Sequence, residues 1–157
     1  MLRLEMAGIH MLHRLKSPFF WVRILLGAIL IAASVDKIIQ PEAFARIIVN
    51  YQILPHTLVN VTALTLPWLE LILGLLLITG FWLPGAVLMS NLLLFTFYAA
   101  LIYDTARGLN VHCGCFSTQA EGAPNMAWYL IRDGFFLILG GILFAASFLR
   151  RSPDLSP

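Results

Sequence analysis

The sequence predicts an all-α integral membrane protein, a four-helix bundle with a short interfacial helix and an outer Cys-x-Cys loop. Three observations carry the fold class. Of the 157 residues 60% are hydrophobic and only 11% charged, against about a quarter charged in a soluble domain, and mean hydropathy is +0.87. Residues 19–35 (FFWVRILLGAILIAASV), 58–79 (LVNVTALTLPWLELILGLLLIT), 84–103 (PGAVLMSNLLLFTFYAALIY) and 126–149 (MAWYLIRDGFFLILGGILFAASFL) each approach the roughly 20 apolar residues that cross a bilayer. The runs are continuous where a membrane barrel would alternate, so helices are the spanning elements.

The first span follows a basic stretch and ends in Ala32, Ala33 and Ser34, a pattern shared with cleavable signals. It is read here as a retained helix. Arg3, Arg14, Lys16 and Arg23 precede or open this span and Arg150 and Arg151 follow the last, leaving Lys37, Arg46, Arg107 and Arg132 for the other face. With four spans both termini share a side, and the basic excess places that side in the cytoplasm. Loops 36–57 and 104–125 then lie outside it. The expected organisation is a basic cytoplasmic segment 1–18, a four-helix domain 19–149 and a cytoplasmic tail 150–157. A net charge of +2 gives no reason to expect a nucleic-acid partner.

Along the chain, residues 1–17 are basic and Met-rich, suited to the inner membrane surface or to disorder. Gln40-Pro41-Glu42 is a helix-start signal, with Pro tolerated in the first turn and an acid near the dipole's positive end. Phe44, Ile47, Ile48 and Tyr51 recur at helical spacing, predicting an interfacial helix over 41–51 closed by the extended Leu54-Pro55 step. The connection 80–85 (GFWLPG) is tight and makes the second and third spans an antiparallel pair. Residues 104–125 form the longest polar stretch, and a long loop in a compact protein is usually functional or disordered. Ala123-Pro124-Asn125 reopens helix.

Polar residues inside the spans are costly and therefore informative. Glu70 stands in the middle of the second span, with Gly74 one turn on and on the same face, where a neighbouring helix can approach. Asn91 lies at a comparable depth in the third span, and Arg23 is placed to reach this layer. Glu70 is read either as a structural acid, kept neutral by burial or paired to Arg23, or as a functional carboxylate; Asn91 suits an interhelical hydrogen bond. Nearer the outer face, Asp36, Lys37, Arg132 and Asp133 form an expected ring of neutralising charges. Alternatively that layer underlies the cysteine loop, where Lys37, Arg107 and Arg132 favour thiolates. His10, His13 and His56 read as surface residues.

Cys113 and Cys115, within VHCGCFS (111–117), are the only two cysteines. Three chemistries compete for them. A purely structural disulfide closes so small a loop that it scarcely restricts the unfolded chain. A redox pair is favoured by Gly114, which permits the dihedrals needed to bring the two sulfurs together in a strained, readily exchanged bridge. A soft-metal site, copper or zinc, would use His112, Cys113 and Cys115, although adjacent His112 and Cys113 converge poorly and closed zinc sites need four ligands.

The order of these features resembles the MauE family of methylamine-utilisation membrane proteins, within the broader DoxX-like group. The residues that carry the likeness are Arg23-Ile24-Leu25-Leu26-Gly27 with Lys37, Tyr51 and Pro55, LPWLELILG (66–74) with Glu70, Arg107-Gly108, CGCF (113–116) and Arg132-Asp133. Ser117 departs from the glycine expected after CGCF and leaves both thiols in place. The resemblance implies a redox-associated protein of the bacterial inner membrane, with its cysteine loop periplasmic and a thioredoxin-like partner. The named family role is maturation of the disulfide-rich methylamine dehydrogenase subunit. By analogy with other four-helix membrane oxidoreductases, a quinone is the expected cofactor if there is one.

Overall fold

The computed structural model describes residues 18–108 and 125–149. Within them the chain forms five helices: α1 Pro18–Ile39, α2 Pro41–Asn50, α3 His56–Thr79, α4 Leu83–Ala106 and α5 Met126–Leu149. α1, α3, α4 and α5 are each long and apolar enough to cross a membrane. α1 continues past Asp36 and Lys37 to Ile39, so these charges lie inside the helix instead of ending it. The amphipathic helix α2 packs Phe44 and Ile47 inward against α3 and α1, with Pro41 and Glu42 in its first turn as expected. The face of the bundle that carries α2 also receives the end of α4 and the start of α5. Below it is called the α2 face.

The four long helices form a ring in which α1 touches α3, α3 touches α4, α4 touches α5 and α5 closes on α1. Leu26, Leu30, Leu73, Leu77, Val87 and Leu143 fill its centre. The closest approach is between α1 and α3, where Gly27 and Gly74 face each other. A Cβ on Gly27 would lie 2.9 Å from the Gly74 carbonyl oxygen, and one on Gly74 would lie 2.8 Å from that of Gly27. Hydrogen at both positions lets the two backbones meet, the small-residue packing that replaces hydrophobic driving force within lipid.

α3 ends at Gly80, whose φ of 77° is the left-handed C-cap conformation that glycine adopts without penalty. Trp82 follows with φ 45°, an uncommon conformation for a residue with a side chain. Its indole lies against Gly85. On the other side of the bundle, Asn91 Nδ2 donates to the Gly140 carbonyl at 3.0 Å and to that of Val87 at 2.8 Å. This is the interhelical bond expected of Asn91, made to α5. Asn91→Leu should lower stability by about 1 kcal/mol, the scale of a hydrogen bond between membrane helices; thermal unfolding in detergent micelles measures it.

Candidate functional site

Within the bundle, Lys37 of α1 and Glu70 of α3 form a two-pronged ion pair. Lys37 Nζ lies 2.7 Å from Glu70 Oε1 and 2.9 Å from Oε2, and the two side chains are 1% and 3% exposed. Phe44 of α2 and Phe97 of α4 each hold a ring centroid 5.0 Å from the ammonium, a cation–π distance. Four helices thus meet at one lysine. Charges this deep are tolerated only when paired and bonded.

The pairing follows from helix geometry. Gly27 opposite Gly74 and Arg23 bonded to Ile78 fix an antiparallel register in which Lys37 is level with Leu64. Glu70 lies six residues deeper, about 9 Å away at 1.5 Å per residue. Side chains lean toward the N-terminus of their own helix. In an antiparallel pair Lys37 therefore leans into the bundle and Glu70 leans toward the α2 face. They close the gap from both ends. A lysine near a helix end ordinarily snorkels out to water; this one reaches inward. Pro67, buried three residues before Glu70, contributes no N–H to α3 at that turn.

Arg23 is not the partner of Glu70. Its guanidinium donates to the Ile78 carbonyl at 3.4 Å and stacks on Phe20 at 5.2 Å, because it lies two turns from the level of Glu70 and nearer the opposite face. Asp36, Lys37, Arg132 and Asp133, expected as a ring of neutralising charges, do lie near one another, since Asp133 and Asp36 both act on Lys37, but the short contacts divide. Lys37 turns inward to Glu70, while Arg132 Nε bonds its neighbour Asp133 Oδ1 at 2.8 Å. The expected role of Lys37 beside the cysteine thiolates concerns residues outside the described ones; within them its ammonium bonds Glu70.

A second polar group lies at the α2 face. Arg107 Nη2 donates to Gln52 Oε1 at 3.0 Å and Nη1 to the Tyr51 carbonyl at 3.4 Å. It thereby ties the end of α4 to the turn after α2, where Gln52 has a φ of 52°. Asp104, one turn before Arg107, is 0% exposed and lies 4.0 Å from Arg107 Nη1, and among the described residues no donor bonds either of its oxygens. The Tyr51 phenol is pushed well above its ordinary value by burial and by the carboxylates of Asp104 and Asp133. At the other boundary of the loop, Asn125 Oδ1 accepts from the Trp128 backbone N–H at 3.1 Å, an N-cap that starts α5. His56 opens α3 exposed.

Cys113, Cys115, His112 and Gly114 lie outside the described residues, as do His10 and His13. The described residues show what the cysteine loop is hung from: Gly108 at the end of the Arg107 clasp, and Asn125 at the head of α5. Tyr51, Asp104 and the Arg107 clasp were not singled out as a cluster from sequence. The signal was present in Asp104, an acid within the last turn of an apolar helix where the dipole disfavours it.

Fold and site together define a four-helix membrane protein with an intramembrane ion pair at its centre and a cysteine-bearing connection whose two ends, Gly108 and Asn125, lie at the α2 face. The chain belongs to the family of the methylamine utilisation protein MauE, whose model matches residues 15–146. It is 36% identical over 112 residues to the methylamine utilization protein MauE of Paracoccus denitrificans, covering 70% of this chain and 59% of that protein. The protein of the same name from Methylorubrum extorquens is 30% identical over 112 residues, covering 71% of this chain and 59% of its own. That of Methylophilus methylotrophus is 32% identical over 88 residues, 55% of this chain and 46% of its own. The matches thus span less than two thirds of each relative. No solved structure matches the chain.

Proposed function

We propose that this chain is a membrane thiol–disulfide protein whose Cys113 and Cys115 exchange disulfides with a thioredoxin-like partner in the periplasm, supporting protein maturation of the methylamine-utilisation type. One observation carries this reading: the chain's only two thiols fall, one residue apart, in a connection whose two ends are fixed over a charged cluster. In the exchange, a thiolate of this chain attacks a sulfur of the partner's disulfide, forming a mixed disulfide and releasing the partner's other thiolate. The second cysteine then attacks the mixed disulfide, so that this chain becomes the disulfide and the partner the dithiol. Two electrons pass between the proteins. Electron flow in the opposite sense uses the same intermediate. Arg107 and Arg132, on the helices that bound the loop, are the cations that would favour thiolate.

A quinone is the membrane-dissolved group that would accept two electrons from the pair after it has oxidised a partner's dithiol, and a quinol the one that would supply them in the sense written above. A cavity of about 230 Å³ between α2, α3 and α4 is the candidate place for it, with apolar and aromatic walls from Phe44, Ile47, Leu66 and Phe97 and with Tyr51 and Thr62 also on its lining. Phe44 and Phe97 are the same rings that cover Lys37.

The test is a trap. Cys115→Ser, expressed in a methylamine-grown host, should accumulate a mixed disulfide between Cys113 and a thioredoxin-like protein, seen on non-reducing gels and identified by mass spectrometry. If Cys113→Ser traps and Cys115→Ser does not, Cys115 is the attacking thiol. If neither variant traps such a partner, and the native pair stays reduced across a redox titration, the proposal fails.

A further inference from the structure

Between α1, α3, α4 and α5 lies a cavity of about 40 Å³ on which Lys37, Glu70 and Asp133 all open. Its other walls are apolar, among them Leu30, Leu93, Phe97 and Phe136. A space this size accommodates a water or two, which need only about 10–15 Å³ each, and on its largely apolar wall these three ionisable side chains are the groups a water would bond. The cavity therefore offers Lys37 two carboxylates. Glu70 holds it directly, and Asp133 faces it from the opposite side of the ring.

The surroundings are unequal in the two directions. Toward the α2 face, Asp133 pairs with Arg132, and both act on the Tyr51 phenol together with Asp104 and Tyr129. Arg107 lies beyond Asp104. Asp36, on the same helix as Lys37, adds its field to the lysine. Titratable groups thus run from the α2 face to the cavity. Toward the opposite face, Leu26, Leu73, Leu77, Val87 and Leu143 pack as an apolar layer, and Gly27 against Gly74 brings two backbones into contact. Among the described residues, the polar side chains on that side include Ser90, Asn91, Thr79 and Ser147, which are neutral, and Arg23, which is permanently charged.

We propose that Lys37 is shared between Glu70 and Asp133, and that Glu70 takes up a proton from the α2 face alone, through Asp133 and water in the cavity. When the Glu70 carboxylate gains the proton it becomes the neutral acid, and Lys37 and Arg132 then face the carboxylates of Asp133 and Asp36, both of which act on the lysine. The proton comes from water at the α2 face. This inference goes beyond thiol exchange and stands without it, since none of its groups is a cysteine.

The experiment uses the full chain in sealed vesicles of uniform orientation, with infrared difference spectra recorded after a pH step on one side. Glu5, Glu42 and Glu121 are replaced by Gln and the remaining glutamate is labelled with ¹³C, so the carboxylic acid band of Glu70 is assigned by its isotope shift with the ion pair intact. Acidifying the α2 face should raise this band, and acidifying the other face should leave it unchanged. Asp133→Asn should slow its rise at least tenfold and, by removing a carboxylate that balances Lys37, lower its amplitude at a given pH, with circular dichroism checking that the variant remains folded. The inference is overturned by a band that never appears while the protein remains folded, by one that follows the opposite compartment, or by an unchanged rate in Asp133→Asn. Failure of the mixed-disulfide trap would leave each of these outcomes as it stands.

Discussion

Lys37→Met should destabilise the protein by about 3–5 kcal/mol, the cost of leaving one partner of a buried ion pair without its counter-charge. The size follows from burial: the Glu70 side chain is 3% exposed and loses both of its hydrogen bonds from Lys37 Nζ at once. Glu70→Met should cost a similar amount, since the ammonium then loses both of its short contacts. Lys37→Met together with Glu70→Met should recover most of either loss, because apolar side chains of like volume remove the desolvation cost along with the attraction. Reversible unfolding in mixed micelles gives the coupling energy directly through a double-mutant cycle. A double variant as unstable as the sum of the two single ones would mean that the pair contributes nothing as a pair. If the double variant is stable, what it loses is the proton site, and the infrared band of Glu70 goes with it.

Much of this arrangement is legible in the sequence, and what was missed has a physical reason. Continuous apolar runs announce the four spans because lipid leaves helices no alternative for their backbone groups. Pro41, Glu42 and the spacing of Phe44 and Ile47 announce α2. Glu70 and Gly74 mark the inner face of α3 because a charge and a hydrogen side chain both need a neighbouring helix. The partner of Glu70 is harder to see. Depth alone suggests Arg23, but depth locates backbones, whereas contact is made by side chains that lean along their helices. Applying that lean to an antiparallel pair would have favoured Lys37 over Arg23. The Arg107 clasp escapes for a different reason: Gln52 and Tyr51 meet Arg107 only because α2 folds back beside α3, a tertiary arrangement that no local pattern encodes.

Gly74→Ala is the substitution expected to harm the bundle most for its size. The added methyl would meet Ile31 Cγ1 at 2.7 Å and the Gly27 carbonyl oxygen at 2.8 Å. The first clash lies against a flexible side chain, and Ile31→Ala relieves it. The second lies against backbone, and only separation of α1 from α3 removes it. Overpacking of this kind costs about 1–3 kcal/mol, so Gly74→Ala with Ile31→Ala should recover part of the loss and no more. The consequence reaches the site, because the same contact sets the register and spacing that let Lys37 and Glu70 meet at 2.7 Å. Moving α1 outward lengthens that ion pair as well. Gly74→Ala should therefore cost less when Lys37 and Glu70 have both become Met, where there is no ion pair left to stretch. An equal cost in the two backgrounds would show that the glycine contact and the ion pair are independent.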